Sequence, residues 1–148
     1  MDRYRAWIVL FLRVGFGVLL IVASMDKIRQ PFGFAGMVEN YRVVGEGLSL
    51  WVAVWLPVLE FFTGLFLILG LWSEAVVLIN FLLMAVFFIL VIQAYVRHLD
   101  IQCGCFSTEE GGRIGILKVI ENFIFMAGSI LLAWMAFNNR RIIFNKTG

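Results

Sequence analysis

The sequence predicts an all-α integral membrane protein, a four-helix bundle with a short interfacial helix between the first and second spans. Three observations predict it. Of 148 residues, 62% are hydrophobic and only 15% are charged, whereas a soluble domain is about half apolar and about a quarter charged. So small a chain has too little interior to hide that excess. Finally, four stretches reach the roughly 20 apolar residues that a helix needs to cross hydrocarbon. The runs are continuous rather than alternating, so helices and not barrel strands satisfy the backbone. Two prolines and the absence of low-complexity tracts exclude a disordered or fibrous chain. A net charge of +2 with dispersed cations argues against nucleic acid as a partner. The lipid bilayer is the first partner, and residues 1–148 are expected to form one four-span domain.

The first span, Ala6 to Met25, is interrupted only by Arg13. Arg3 and Arg5 ahead of it, and Ala23-Ser24-Met25 at its end, imitate a signal peptide. Arg13 inside the apolar run and the full spanning length argue for a retained helix instead. After Pro31, the apolar residues Phe34, Met37, Val38 and Tyr41 recur at helical spacing, which suits a short amphipathic helix at the membrane surface; an ordered polar loop is the alternative. The second span, Leu48 to Leu71, holds one charge, Glu60. Only Trp72, Ser73 and Glu74 separate it from the third, the uncharged Ala75 to Val96, so the two form an antiparallel hairpin. The fourth, Ile114 to Phe137, carries Lys118, Glu121 and Asn122 in its first turns.

Tyr4, Trp7, Trp72 and Trp134 fall near one membrane face, with Trp51 and Tyr95 near the other, as interfacial aromatics should. Lysine and arginine orient the bundle weakly: five stand on the side of the termini and six on the other. A slight preference places the termini in the cytoplasm.

Chemistry concentrates in two places. The chain's two cysteines stand together as Cys103-Gly104-Cys105, in the connection after the third span. A bridge across one residue would be strained and easily reduced, and it would add almost no loop-closure stability. A redox pair is the first reading. Inert thiols, or thiols bonded elsewhere in an assembly, are the second. Soft metal ligands with His98 as third donor are another, although no fourth ligand stands at a diagnostic spacing. Lys118 and Glu121, with Asn122, share one helical face near the pair, and Gln93 sits one turn from the end of the preceding span. A cation there, Lys118 or Arg113, would favour the attacking thiolate; a snorkelling lysine at a helix end is the plain alternative.

The second place is the membrane interior. Ionisable groups at that depth are expensive and mark functional hypotheses. Counting residues from the terminal face puts Arg13 and Glu60 within about 6 Å in depth. This predicts an Arg13–Glu60 ion pair with Asn80 adding a hydrogen bond, either a structural clasp or a proton- or quinone-linked site.

These residues fit a known pattern. Arg13, Gly15 and Gly17, Lys27-Ile28 before Pro31, Phe34-Ala35, Asn40-Tyr41, Leu56-Pro57 with Glu60 and Gly64, Gly70, Cys103-Gly104-Cys105-Phe106 and Glu121-Asn122 together resemble the DoxX/MauE group of small four-helix membrane proteins. The Cys-Gly-Cys-Phe run looks most like the MauE, methylamine utilisation, branch. The resemblance implies a redox-associated protein of the cell's inner membrane. MauE-type proteins are required for producing the disulfide-rich small subunit of methylamine dehydrogenase, and DoxX/DoxD-type proteins are linked to thiosulfate oxidation with quinone. It would also place the cysteine loop on the exported face, with the termini cytoplasmic.

Three functions follow as expectations. The first is thiol–disulfide exchange or maturation of an exported partner through Cys103 and Cys105, with a partner thiol protein or a quinone near Glu60 or Glu121 completing the electron path. The second is a non-catalytic membrane subunit or assembly factor. The third is a small transporter or ligand-binding bundle using Arg13 and Glu60, for which a homo-oligomer would be needed to enclose a conduit. Enzymatic and non-enzymatic readings both stand on the sequence.

Overall fold

A computed structural model describes residues 3–71, 73–98 and 116–144. They form five helices: α1 Arg3–Arg29, α2 Pro31–Asn40, α3 Glu46–Leu69, α4 Ser73–Val96 and α5 Ile116–Phe144. Four of these, all but α2, are long and apolar enough to cross a membrane. The chain is a helical membrane bundle, with α2 as the short helix expected between the first two spans.

α1 runs past the expected Met25 through a last turn that holds Lys27 and Arg29, and a cation such as Arg29 is favourable at the negative end of a helix dipole. It stops at Gln30, since the residue before a proline is driven out of helical geometry. Pro31 then opens α2 at its first turn, where its missing N–H costs nothing. α3 ends on Gly70, whose φ of 76° is open to glycine at little cost and whose N–H donates to the Phe66 carbonyl at 2.8 Å. Pro57 sits inside α3 and leaves the Ala53 carbonyl without its usual helical donor.

The four spans pair antiparallel. Arg13 meets Leu67 and Gly17 meets Gly64 across α1 and α3. Asn80 meets Ser129, and Phe88 meets Phe123 at 6.0 Å between ring centroids, across α4 and α5. The bundle therefore has a terminal end, where α1 starts and α5 finishes, and a connection end, where α2 lies and where α4 and α5 flank the cysteine segment. The Arg5 guanidinium, 5.7 Å over the Trp134 ring, ties α1 to α5 at the terminal end.

Phe16, Leu20, Leu67, Val77, Met84, Phe87 and Leu132 form the core between the spans. A smaller cluster of Phe34, Ala35 and Ala53 seats α2 on α3. Outward faces are as apolar as the core: Phe11, Trp55, Ile89, Leu117 and Ile124 are all exposed. Helices that are apolar on every side belong in lipid.

Candidate functional site

The most deeply buried charges lie where α1, α2, α3 and α4 converge. Lys27 Nζ donates to both carboxylate oxygens of Glu60, at 2.7 and 2.8 Å, and both side chains are at most 1% exposed. The Phe34 and Phe87 rings flank the ammonium, with centroids 5.2 and 5.0 Å away, inside cation–π range. The lysine thus exchanges water for one carboxylate and two aromatic faces. The direction in which side chains lean makes the pair reachable. A Cα–Cβ bond tilts toward its helix's N-terminus. In α1 that tilt carries Lys27 inward from the connection end; in antiparallel α3 it carries Glu60 toward the connection end.

The same rule corrects the expected Arg13–Glu60 pair. Arg13 leans toward the terminal end, away from Glu60. The Gly17–Gly64 contact also fixes a register that sets Arg13 level with Leu67, about 10 Å along α3 from Glu60. Arg13 Nε and Nη2 instead donate to the Leu67 carbonyl, at 3.2 and 3.1 Å. That carbonyl is one of the four that the end of a helix leaves without a partner, so Arg13 caps α3. Gly70 gives it room, because a Cβ there would collide with Arg13 Nη2.

Asn80 does not extend the Glu60 pair either. Its Nδ2 donates to Ser129 Oγ at 3.1 Å, joining α4 to α5, with both residues fully buried. Asn80 Oδ1 is the buried side-chain polar atom that no donor reaches among the described residues.

At the connection end, Lys118 Nζ and Glu121 Oε2 pair at 2.9 Å, each about one third exposed, in the first turns of α5. Asn122 Nδ2 donates to the Lys118 carbonyl at 2.9 Å, so the three share the expected face. His98, the candidate third metal donor, is exposed just after α4 with a φ of 49°. Gln93 is half-buried in the last turns of α4. Cys103, Cys105 and Arg113 lie outside the described residues, as does Trp72.

Sequence reasoning missed Lys27 as a site residue by ending the first span at Met25. A signal was present. Phe16, Leu20, Ala23 and Lys27 fall on one helical face, so the buried stripe of α1 runs straight into the lysine. It also missed the bond between Ser49 Oγ and Glu39 Oε1, 2.7 Å, which pins the end of α2 to the first turn of α3.

The family model described as methylamine utilisation protein MauE matches residues 5–135. The chain is 30% identical over 123 residues to methylamine utilization protein MauE of Paracoccus denitrificans, covering 82% of this chain and 66% of that protein. It is 29% identical over 126 residues to the protein of the same name from Methylorubrum extorquens, covering 84% and 68%. The chain spans about two thirds of the length of these curated relatives. No solved structure matches it. The matched residues run from the first turn of α1 well into α5 and include Arg13, Lys27, Glu60 and Asn80; the chain belongs to the MauE family.

Proposed function

We propose that this membrane protein performs thiol–disulfide exchange on an exported partner through Cys103 and Cys105. The observation that carries this reading is the placement of the chain's two cysteines, one glycine apart, in the connection between α4 and α5. Those helices leave and re-enter the bundle at one end. The Lys118–Glu121 pair, early in α5, supports it by keeping a cation at that same end. The naming of both relatives for methylamine utilisation supports the same process for this chain.

In the reducing direction, one cysteine thiolate attacks a partner disulfide, and a mixed Sγ–Sγ bond forms as one partner thiolate leaves. The second cysteine then attacks the mixed bond. The Cys103–Cys105 disulfide closes, the partner's second thiolate leaves, and two electrons have passed to the partner. The reverse sequence oxidises a partner dithiol. After the reducing direction, a dithiol protein or a quinol returns the pair to its dithiol form; after the oxidising direction, a disulfide-bearing protein or a quinone takes up the two electrons and restores the disulfide. The termini would face the cytoplasm and the cysteine loop the exported side, where disulfides persist. Lys118 favours the attacking thiolate and Glu121 positions Lys118.

Trapping tests the mechanism. With Cys105→Ser, the mixed disulfide cannot be resolved by its neighbour, and a partner should remain covalently attached until reductant is added. A doubly substituted Cys103→Ser, Cys105→Ser strain that matures its exported proteins as the parent does would overturn the proposal.

One observation favours a second reading, a non-catalytic membrane subunit. α5 packs chiefly on α4 and leaves Leu117, Ile124, Leu131 and Trp134 exposed, a face wide enough for a partner's span. A stable complex that survives replacement of both cysteines would support it.

A further inference from the structure

Between α2, α3 and α4 lies a cavity of about 260 Å³, walled by Phe34, Tyr41, Val44, Leu56, Phe87 and Leu90 among others. An engineered apolar cavity of about 150 Å³ is enough to take up benzene, so this one has room for a stretch of hydrocarbon chain. Tyr41 is the one wall residue with a polar side-chain atom. A ligand bearing carbonyls or charge inside the cavity would leave them largely unpaired. Val86, half exposed on the outer side of α4, also lines it, so the cavity opens toward the bilayer.

The rim supplies the other half of a ligand. Arg42 stands between the wall residues Tyr41 and Val43 and is exposed. It occupies a left-handed backbone position, φ 53°, where glycine is the usual choice, and its N–H donates to the Glu39 carbonyl at 2.8 Å. Among the described side chains no carboxylate pairs with it, and that of Glu39 is engaged by Ser49. An exposed cation whose two chain neighbours wall a hydrocarbon-lined cavity, at the connection end of the bundle, matches one class of molecule.

We propose that the cavity beneath α2 holds one acyl chain of an anionic phospholipid whose phosphate rests on Arg42. The chain supplies the contacts that the walls lack, and the guanidinium fork pairs with the phosphate oxygens. α2 is the lid of this site, held down by the Glu39–Ser49 bond and by Phe34 against Lys27.

Native mass spectrometry of the detergent-purified full chain, with phosphatidylglycerol or phosphatidylcholine of identical chains added, tests it. The parent should retain one phosphatidylglycerol about fivefold better than phosphatidylcholine, the ratio one arginine gains from an anionic headgroup. Arg42→Gln and Arg42→Gly should both bring the ratio near one. The glycine variant suits the left-handed backbone, so it separates loss of charge from damage to the turn. Val86→Trp, or Leu90→Phe should the first fail to fold, fills the cavity and should abolish retention of both lipids while Tm holds. Equal retention of the two lipids by the parent would overturn the assignment. So would undiminished retention by a folded, filled variant, or a dimer that the filling residue breaks without changing lipid retention, which would make a second copy the occupant.

Discussion

Lys27 and Glu60 face each other inside the bundle at 2.7 and 2.8 Å, joining the end of α1 to the middle of α3 with almost no exposure to solvent. Neither charge has another opposite charge within salt-bridge distance among the described residues, so each depends on the other. Removing one partner leaves an isolated charge where solvation is poorest. Lys27→Met alone or Glu60→Leu alone should therefore cost about 3 to 5 kcal/mol, while the double replacement recovers most of the loss. Denaturant titration of the purified protein in mild detergent reads this directly. Equal and additive losses would show that the two do not act as a pair.

Arg13 acts at the end of α3, not on Glu60. Arg13→Ala frees the Leu67 carbonyl and should cost about 1 to 3 kcal/mol. The same change in a Lys27→Met, Glu60→Leu background should cost the same amount, because the two sites share no partner. A strong interaction in that cycle, measured by the same unfolding assay, would restore the coupling of Arg13 to the buried pair.

Close approach of α1 and α3 rests on two glycines. A Cβ on Gly17 would stand 2.8 Å from the Gly64 carbonyl oxygen, and one on Gly64 would stand 2.7 Å from that of Gly17. Either glycine-to-alanine change should push the helices apart and cost about 1 to 3 kcal/mol. Gly15→Ala is the control, since nothing lies within 4 Å of the Cβ it would add. Thermal unfolding of the three variants should rank Gly15→Ala with the parent and the other two well below it.

Lys118 is offered as a tuner of the cysteines. Its ion pair with Glu121 is part-exposed, and such pairs contribute about 1 kcal/mol at most. Lys118→Met should hardly move Tm, yet slow alkylation of the reduced cysteines near neutral pH several-fold by lowering the thiolate fraction. Lys118→Arg should restore the rate. An unchanged alkylation rate would leave the lysine a structural helix-end residue.

The spans were legible because an apolar run of spanning length has one solution in lipid, and the short helix was legible because Phe34, Val38 and Tyr41 share a face behind Pro31. The polar partners were harder. Residue counting gives depth but not register, and register here is set by Gly17 against Gly64, a contact between distant parts of the chain. Lys27 looks like a loop residue to hydropathy, since its burial depends on Phe34 and Phe87 from two other helices closing around it. Asn80 was legible as a buried polar residue, but its choice of Ser129 over Glu60 follows from the pairing of α4 with α5.

The most direct measurement is the mass of the purified protein after alkylation, with and without prior mild reduction. Oxidised protein should take up no label before reductant and two labels after it, with an unmodified mass matching an internal Cys103–Cys105 bond. Two labels taken up without reductant, after exposure to an oxidant, would contradict the account.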